Sequence, residues 1–105
     1  MVALKSSVKL AGLTPQITVA LIVASSIAQE MQRDLVVTSA NDSKHMAGSK
    51  HYSGEALDFR THDWAKDAKE SFVNRLRAAL GPNFDVIQED MGGPNEHCHV
   101  EFDPK

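Results

Sequence analysis

Two short stretches of this chain carry side chains that could hold a metal ion and move protons. In the first, Ser49 to Asp58, the imidazole of His51 and the carboxylate of Asp58 stand seven positions apart with Gly54 between them. The glycine suits a backbone bend, so one group can sit on a loop and the other on the strand-like run Ala56-Leu57-Asp58-Phe59. The second stretch is Glu96-His97-Cys98-His99. At strand spacing His97 and His99 project from one face, and Cys98, Val100 and Phe102 from the other. Two imidazoles and one carboxylate leave a tetrahedral zinc with one position open for water. Each residue also has an ordinary reading: Asp58 could pair with Arg60 or cap a turn, and Glu96 could be a charge at a strand edge. Their joint placement favours a site.

The elements that must position these residues can be read in order. Residues 1 to 13 form a lead-in whose Leu10 and Leu13 pack beneath a first helix, which runs from about Pro15 to Gln32 with Thr14 as N-cap and Pro15 at the first helical position. Asp34 to Ser39, rich in β-branched residues, reads as a buried strand. Ala40 to Ser49 turns polar, as expected of a surface loop that carries chemistry. Glu55 to Arg60 is the next strand, with Leu57 and Phe59 on one face and Ala56, Asp58 and Arg60 on the other. Asp63 is the expected N-cap of a second helix, in which Ala65, Ala68, Phe72, Leu76, Ala79 and Leu80 follow helical spacing up to the stop at Gly81-Pro82. Trp64, at its start, reads as packing. Phe84 to Glu89 and His97 to Phe102 are strands joined by the tight loop Met91 to Asn95, which predicts an antiparallel hairpin. Segregated helices and short loops give an α+β fold.

Composition narrows the function. With 105 residues, 42% hydrophobic and 24% charged, the chain fits one compact domain with one core. A net charge of -3 and scattered lysines and arginines give no footprint for nucleic acid. A single cysteine excludes an internal disulfide framework and a four-cysteine zinc knot, and Cys98 reads as a small buried strand residue. Lys5 and Lys9 before the apolar run Ile17 to Ala24 loosely imitate a secretory signal, but Gln16, Ser25, Ser26, Gln29 and Glu30 continue the helical pattern past it. A domain helix is the expected reading, with no membrane span; secretion would follow if the stretch were a signal.

Ser49-x-His51-x-x-Gly54-x-Ala56-x-Asp58 and the closing His97-x-His99 resemble the first and second zinc motifs of the D-Ala-D-Ala carboxypeptidase and L-alanyl-D-glutamate endopeptidase family. The related hedgehog signalling domain carries the same two motifs. The motif-bearing segments run from Ser49 to His99, in the family's order. The resemblance implies a hedgehog/DD-peptidase-like fold with a small antiparallel sheet flanked by helices, and one zinc held by His51, Asp58 and His99. It implies Glu96 as general base and His97 as the group that steadies the oxyanion. The activity implied is hydrolysis of peptide bonds in the stem peptides of bacterial peptidoglycan by a zinc-activated water.

The chain departs from the family in two places. Many relatives carry an arginine before the Ser-x-His motif that helps hold the substrate, where this chain has Asn41-Asp42-Ser43-Lys44. Lys44 or Lys50 would substitute only as point charges. The hedgehog-type arrangement puts the acidic residue at the end of the preceding strand, here Glu89, which makes Glu89 the second choice for the base. His45 and His62 lie outside both motifs and read as loop residues. The leading expectation is a monomeric, phage-lysin-like catalytic domain made in the cytoplasm and acting at the cell wall. A zinc-binding module without catalysis is the alternative, and a mononuclear iron enzyme ranks below both.

Overall fold

The computed structural model describes residues 2–6, 8–40 and 54–105. The elements in chain order are β1 (Val2–Leu4), α1 (Pro15–Glu30), β2 (Leu35–Ser39), β3 (Ala56–Arg60), α2 (Lys66–Leu80), β4 (Phe84–Glu89) and β5 (His97–Phe102). They form an α+β fold with one five-stranded sheet in the order β1-β2-β3-β5-β4.

The strand pairs from β2 to β4 are antiparallel, including the expected β4–β5 hairpin. The sheet as a whole is mixed, because Val2–Leu4 adds a parallel edge strand beside Leu35–Val37. The lead-in therefore contains a strand that its short, mixed sequence does not announce. Lys5 N–H continues the pairing by donating to the Val37 carbonyl at 2.9 Å.

Alternation sorts the sheet into two faces. Leu35, Val37, Leu57, Phe59, Val86, Cys98 and Val100 share one core with Ile17, Ala20, Ala24 and Ile27 of α1 and Phe72, Val73 and Leu76 of α2. Edge-to-face rings tie the layers together: Phe72 stands 6.2 Å from Phe59 and 5.1 Å from Trp64. Trp64 is thus packing, as its place before a helix suggested. Within α1, the apolar run that imitates a signal buries Ile17, Ala20 and Ala24 in the core, while Val19 and Ile22 are exposed. Among the described residues, no helix is long and apolar enough to cross a membrane.

Helix ends follow local chemistry, with one exception. Thr14 caps α1, its Oγ1 accepting from Ile17 N–H at 3.3 Å, and Pro15 takes the first position. The helix stops at Glu30, slightly before the expected Gln32, because Gln32 has φ 56° and Arg33 N–H returns to the Ala28 carbonyl at 2.9 Å. Asp63 does not cap α2. Thr61 to Trp64 close a turn of their own, through a 2.9 Å bond from Trp64 N–H to the Thr61 carbonyl, and the N-cap passes to Ala65, which makes no side-chain cap bond.

Two backbone devices aim β3. Gly54 has φ +75°, and a Cβ there would lie 2.1 Å from the Gly12 carbonyl oxygen. Only glycine lets the lead-in and the start of β3 approach so closely. On the other side, Val37 pairs with Phe59 and Ser39 with Asp58, so β2 uses two residues where β3 uses one. Such a bulge re-aims neighbouring side chains, here beside Asp58.

Candidate metal centre

The face of the sheet turned away from the helices carries three cross-strand rows over β3, β5 and β4: Arg60–His97–Glu89, Asp58–His99–Ile87 and Ala56–Glu101–Asp85. Antiparallel register thus sets the polar residues of the two motifs beside one another. Asp58 and His99, far apart in sequence, meet with Oδ1 2.7 Å from Nδ1. Glu89 Oε1 lies 3.8 Å from the same nitrogen.

Asp58, Glu89 and His99 form a group whose potential ligand atoms all lie within 4.8 Å of one another. One imidazole nitrogen and carboxylate oxygens make a donor set that zinc accepts. The 2.7 Å contact between Asp58 and His99 is a hydrogen-bond distance. A cation seated there would take the place of the shared proton. The residues therefore fit a metal ion. The expected third ligand, His51, lies outside the described residues, as do Lys44, Lys50 and His45.

His97 sits beside this group. Its Nδ1–H donates to the Asn95 carbonyl at 2.9 Å and its Nε2 meets Glu89 Oε1 at 2.9 Å, while Asp58 Oδ1 is 3.8 Å from Nε2. Burial works against a charge on the ring, but the Asn95 carbonyl and the Asp58 and Glu89 carboxylates outweigh it and raise the pKa of His97. His99 behaves likewise: burial opposes its charge, yet hydrogen bonds to Asp58 and Glu101 push its pKa up to about 9. Cys98 points the other way, into the core, where burial pushes the thiol up to about 12 and leaves it inert.

Glu96 lies just before β5 and is buried. Its Oε1 forms an ion pair with the Lys69 ammonium from α2, and its Oε2 accepts from Gly92 N–H at 3.1 Å. The bond to Lys69 holds its pKa below the ordinary carboxylate value against the opposing effect of burial, with help from Gly92. Glu96 shares a cavity of about 270 Å³ with Asp58, His97, His62 and Arg60. A larger groove of about 420 Å³ between α2 and the β4–β5 loop lies on its other side, lined by Lys69, Val73, Arg77 and Met91. Asp58 and His97 line the smaller cavity, so it is the one beside the candidate metal group.

Of the residues singled out by sequence, Asp58, Glu89, His97 and His99 thus come together, and Glu96, from a buried position, lines a cavity with Asp58 and His97. Two further partners lie outside the motifs. Glu101, whose Oε1 lies 2.9 Å from His99 Nε2, follows His99 by two residues, so strand alternation alone could have placed it on this face. Lys69 has no local signal, since its contact with Glu96 depends on how α2 packs against the β4–β5 loop. No family model matches the chain, and neither a curated protein nor a solved structure matches it.

Proposed function

We propose that the chain is a zinc metallopeptidase that hydrolyses peptide bonds in the stem peptides of bacterial peptidoglycan. The observation that carries this reading is the 2.7 Å meeting of Asp58 and His99, one from each motif, with Glu89 and His97 around the same point. His51 is the proposed third ligand, on the strength of the Ser-x-His motif. Bound there, zinc would supply Lewis-acid polarisation of the scissile carbonyl and a lowered pKa for water.

In this reading Glu96, ionised by its pairing with Lys69, takes the proton of the attacking water and passes it to the leaving amine. His97, held through Nδ1–H by the Asn95 carbonyl, would turn its Nε2–H from Glu89 to the carbonyl oxygen as negative charge develops there. Glu89 orients His97. It is also the second choice for the base, as in the hedgehog-type arrangement, and its Oε1 stands 3.8 Å from His99 Nδ1. A zinc-binding module without catalysis is the other reading. It is favoured by the engagement of both Glu96 oxygens, one with Lys69 and one with Gly92, which leaves the carboxylate less basic.

The test is digestion of purified peptidoglycan by the whole protein, with zinc or with a chelator, followed by identification of new amino termini. Glu96→Gln should keep zinc binding and folding while slowing cleavage by roughly a hundredfold to ten-thousandfold. Glu89→Gln should be milder; reversal of the two outcomes moves the base to Glu89. Absence of cleavage by zinc-loaded protein would favour the binding module.

A further inference from the structure

His99 is bracketed by two carboxylates. Asp58 Oδ1 lies 2.7 Å from Nδ1, and Glu101 Oε1 lies 2.9 Å from Nε2. An ionised carboxylate only accepts hydrogen bonds, so each contact requires a hydrogen on the ring nitrogen that faces it. The two sides are not equivalent. The Nδ1 side also faces Glu89, whose Oε1 is 3.8 Å away, and so belongs to the group that could hold a metal ion. A cation there replaces the Nδ1 hydrogen and leaves the Nε2 hydrogen on Glu101.

We propose that Glu101 is the positioning residue of the metal centre: by accepting from Nε2–H it fixes the tautomer of His99 whose Nδ1 lone pair faces Asp58. A carboxylate on the far nitrogen also makes the imidazole a stronger donor to metal. This rests on the metal-binding part of the reading above and does not depend on catalysis.

A second group of carboxylates on the same sheet supports the assignment. Asp85, Glu101 and Asp103 lie close enough together to suggest a metal site of their own. Lys105 answers two of them, with Nζ 2.9 Å from Asp85 Oδ1 and 3.0 Å from Asp103 Oδ2. Glu101 instead turns along its own strand to His99. The three carboxylates thus divide between an ammonium and an imidazole, and Glu101 belongs with His99.

The experiment titrates Zn²⁺ into the full chain against a chromophoric chelator, for wild type, Glu101→Ala, Glu101→Gln and Asp103→Asn, with circular dichroism to verify folding. Glu101→Ala should weaken zinc binding about 10- to 100-fold. Glu101→Gln, which keeps an acceptor without the charge, should lose less and shows the effect even if the alanine variant folds poorly. Asp103→Asn removes a charge from the same cluster without removing the His99 partner, and should change affinity by no more than about twofold. Nitrogen-15 spectra of the zinc-loaded wild type should show the His99 proton on Nε2. The proposal is overturned by wild-type affinity in Glu101→Ala, by an equal loss in Asp103→Asn, or by a proton on Nδ1. Failure of the wild type itself to bind zinc would instead remove the metal centre, and the role of Glu101 with it.

Discussion

Glu96 is buried just before β5, where a carboxylate keeps its charge only if neighbouring groups answer it. With 2% of its surface exposed, it depends on Lys69 and Gly92 N–H to replace lost water. Its pKa lies below the ordinary 4.5, so its ionisation stabilises the fold. That contribution is complete above 4.5 and is lost as pH falls through the lower folded value. Lys69→Met should therefore cost about 1–3 kcal/mol at neutral pH, the cost of leaving a buried acceptor short of its partner. The deficit should shrink in acid, where Glu96 is protonated in the variant first. Urea denaturation of both proteins across the acid range reads this directly, and a deficit independent of pH would remove the ion pair as its cause. The sequence marks Glu96 through its spacing from His99, but it is silent on Lys69, because a helix residue facing a distant loop leaves no periodic trace.

At the scale of elements, the strands that carry the centre are legible because their signals are local. The β-branched run Val36–Thr38, the alternation of Leu57 and Phe59 with Asp58, and the loop between β4 and β5 each announce a strand or a turn. Alternation also places His97 and His99 on one face and Cys98 on the other. What escapes is non-local. The three residues of β1 gain their structure only by pairing with β2, and the cap of α2 moves from Asp63 to Ala65 because the Thr61–Trp64 turn takes up the residues before it. Gly54 lies between these cases. Its role as a bend is expected from its place in the motif, whereas its contact with Gly12 appears only in the fold. Gly81 offers the comparison, since it has φ +83° but open space where a methyl group would project, while Gly54 has φ +75° and the Gly12 oxygen at 2.1 Å. Gly81→Ala should lose about 1–3 kcal/mol from backbone strain alone. Gly54→Ala should lose distinctly more in urea denaturation, and should weaken zinc binding by shifting the start of β3. Equal losses in the two variants would show that the close approach does not matter.

Among the described residues, the two helices pack on one face of the sheet, and the other face carries the carboxylates and imidazoles. This division explains how a small chain can gather carboxylates and imidazoles without giving up its core. Side chains on the polar face need partners, and the cross-strand rows supply them as carboxylate–imidazole pairs. The same arrangement would couple metal binding to pH. With its pKa pushed up to about 9, His99 without metal stabilises the fold fully below its ordinary 6.5, and that contribution is lost as pH rises through about 9. Zinc bound there would act in the opposite sense, because it needs Nδ1 free of its proton, so binding should release protons and strengthen as pH rises. Thermal melts in chelator should therefore fall in midpoint between pH 6.5 and about 9. Melts at saturating zinc should hold steady or rise over the same range, the gap at a hundredfold excess over the dissociation constant being worth about 2.7 kcal/mol. Zinc and chelator curves that run parallel across this range would show that His99 does not exchange its proton for metal, and would remove it from the ligand set.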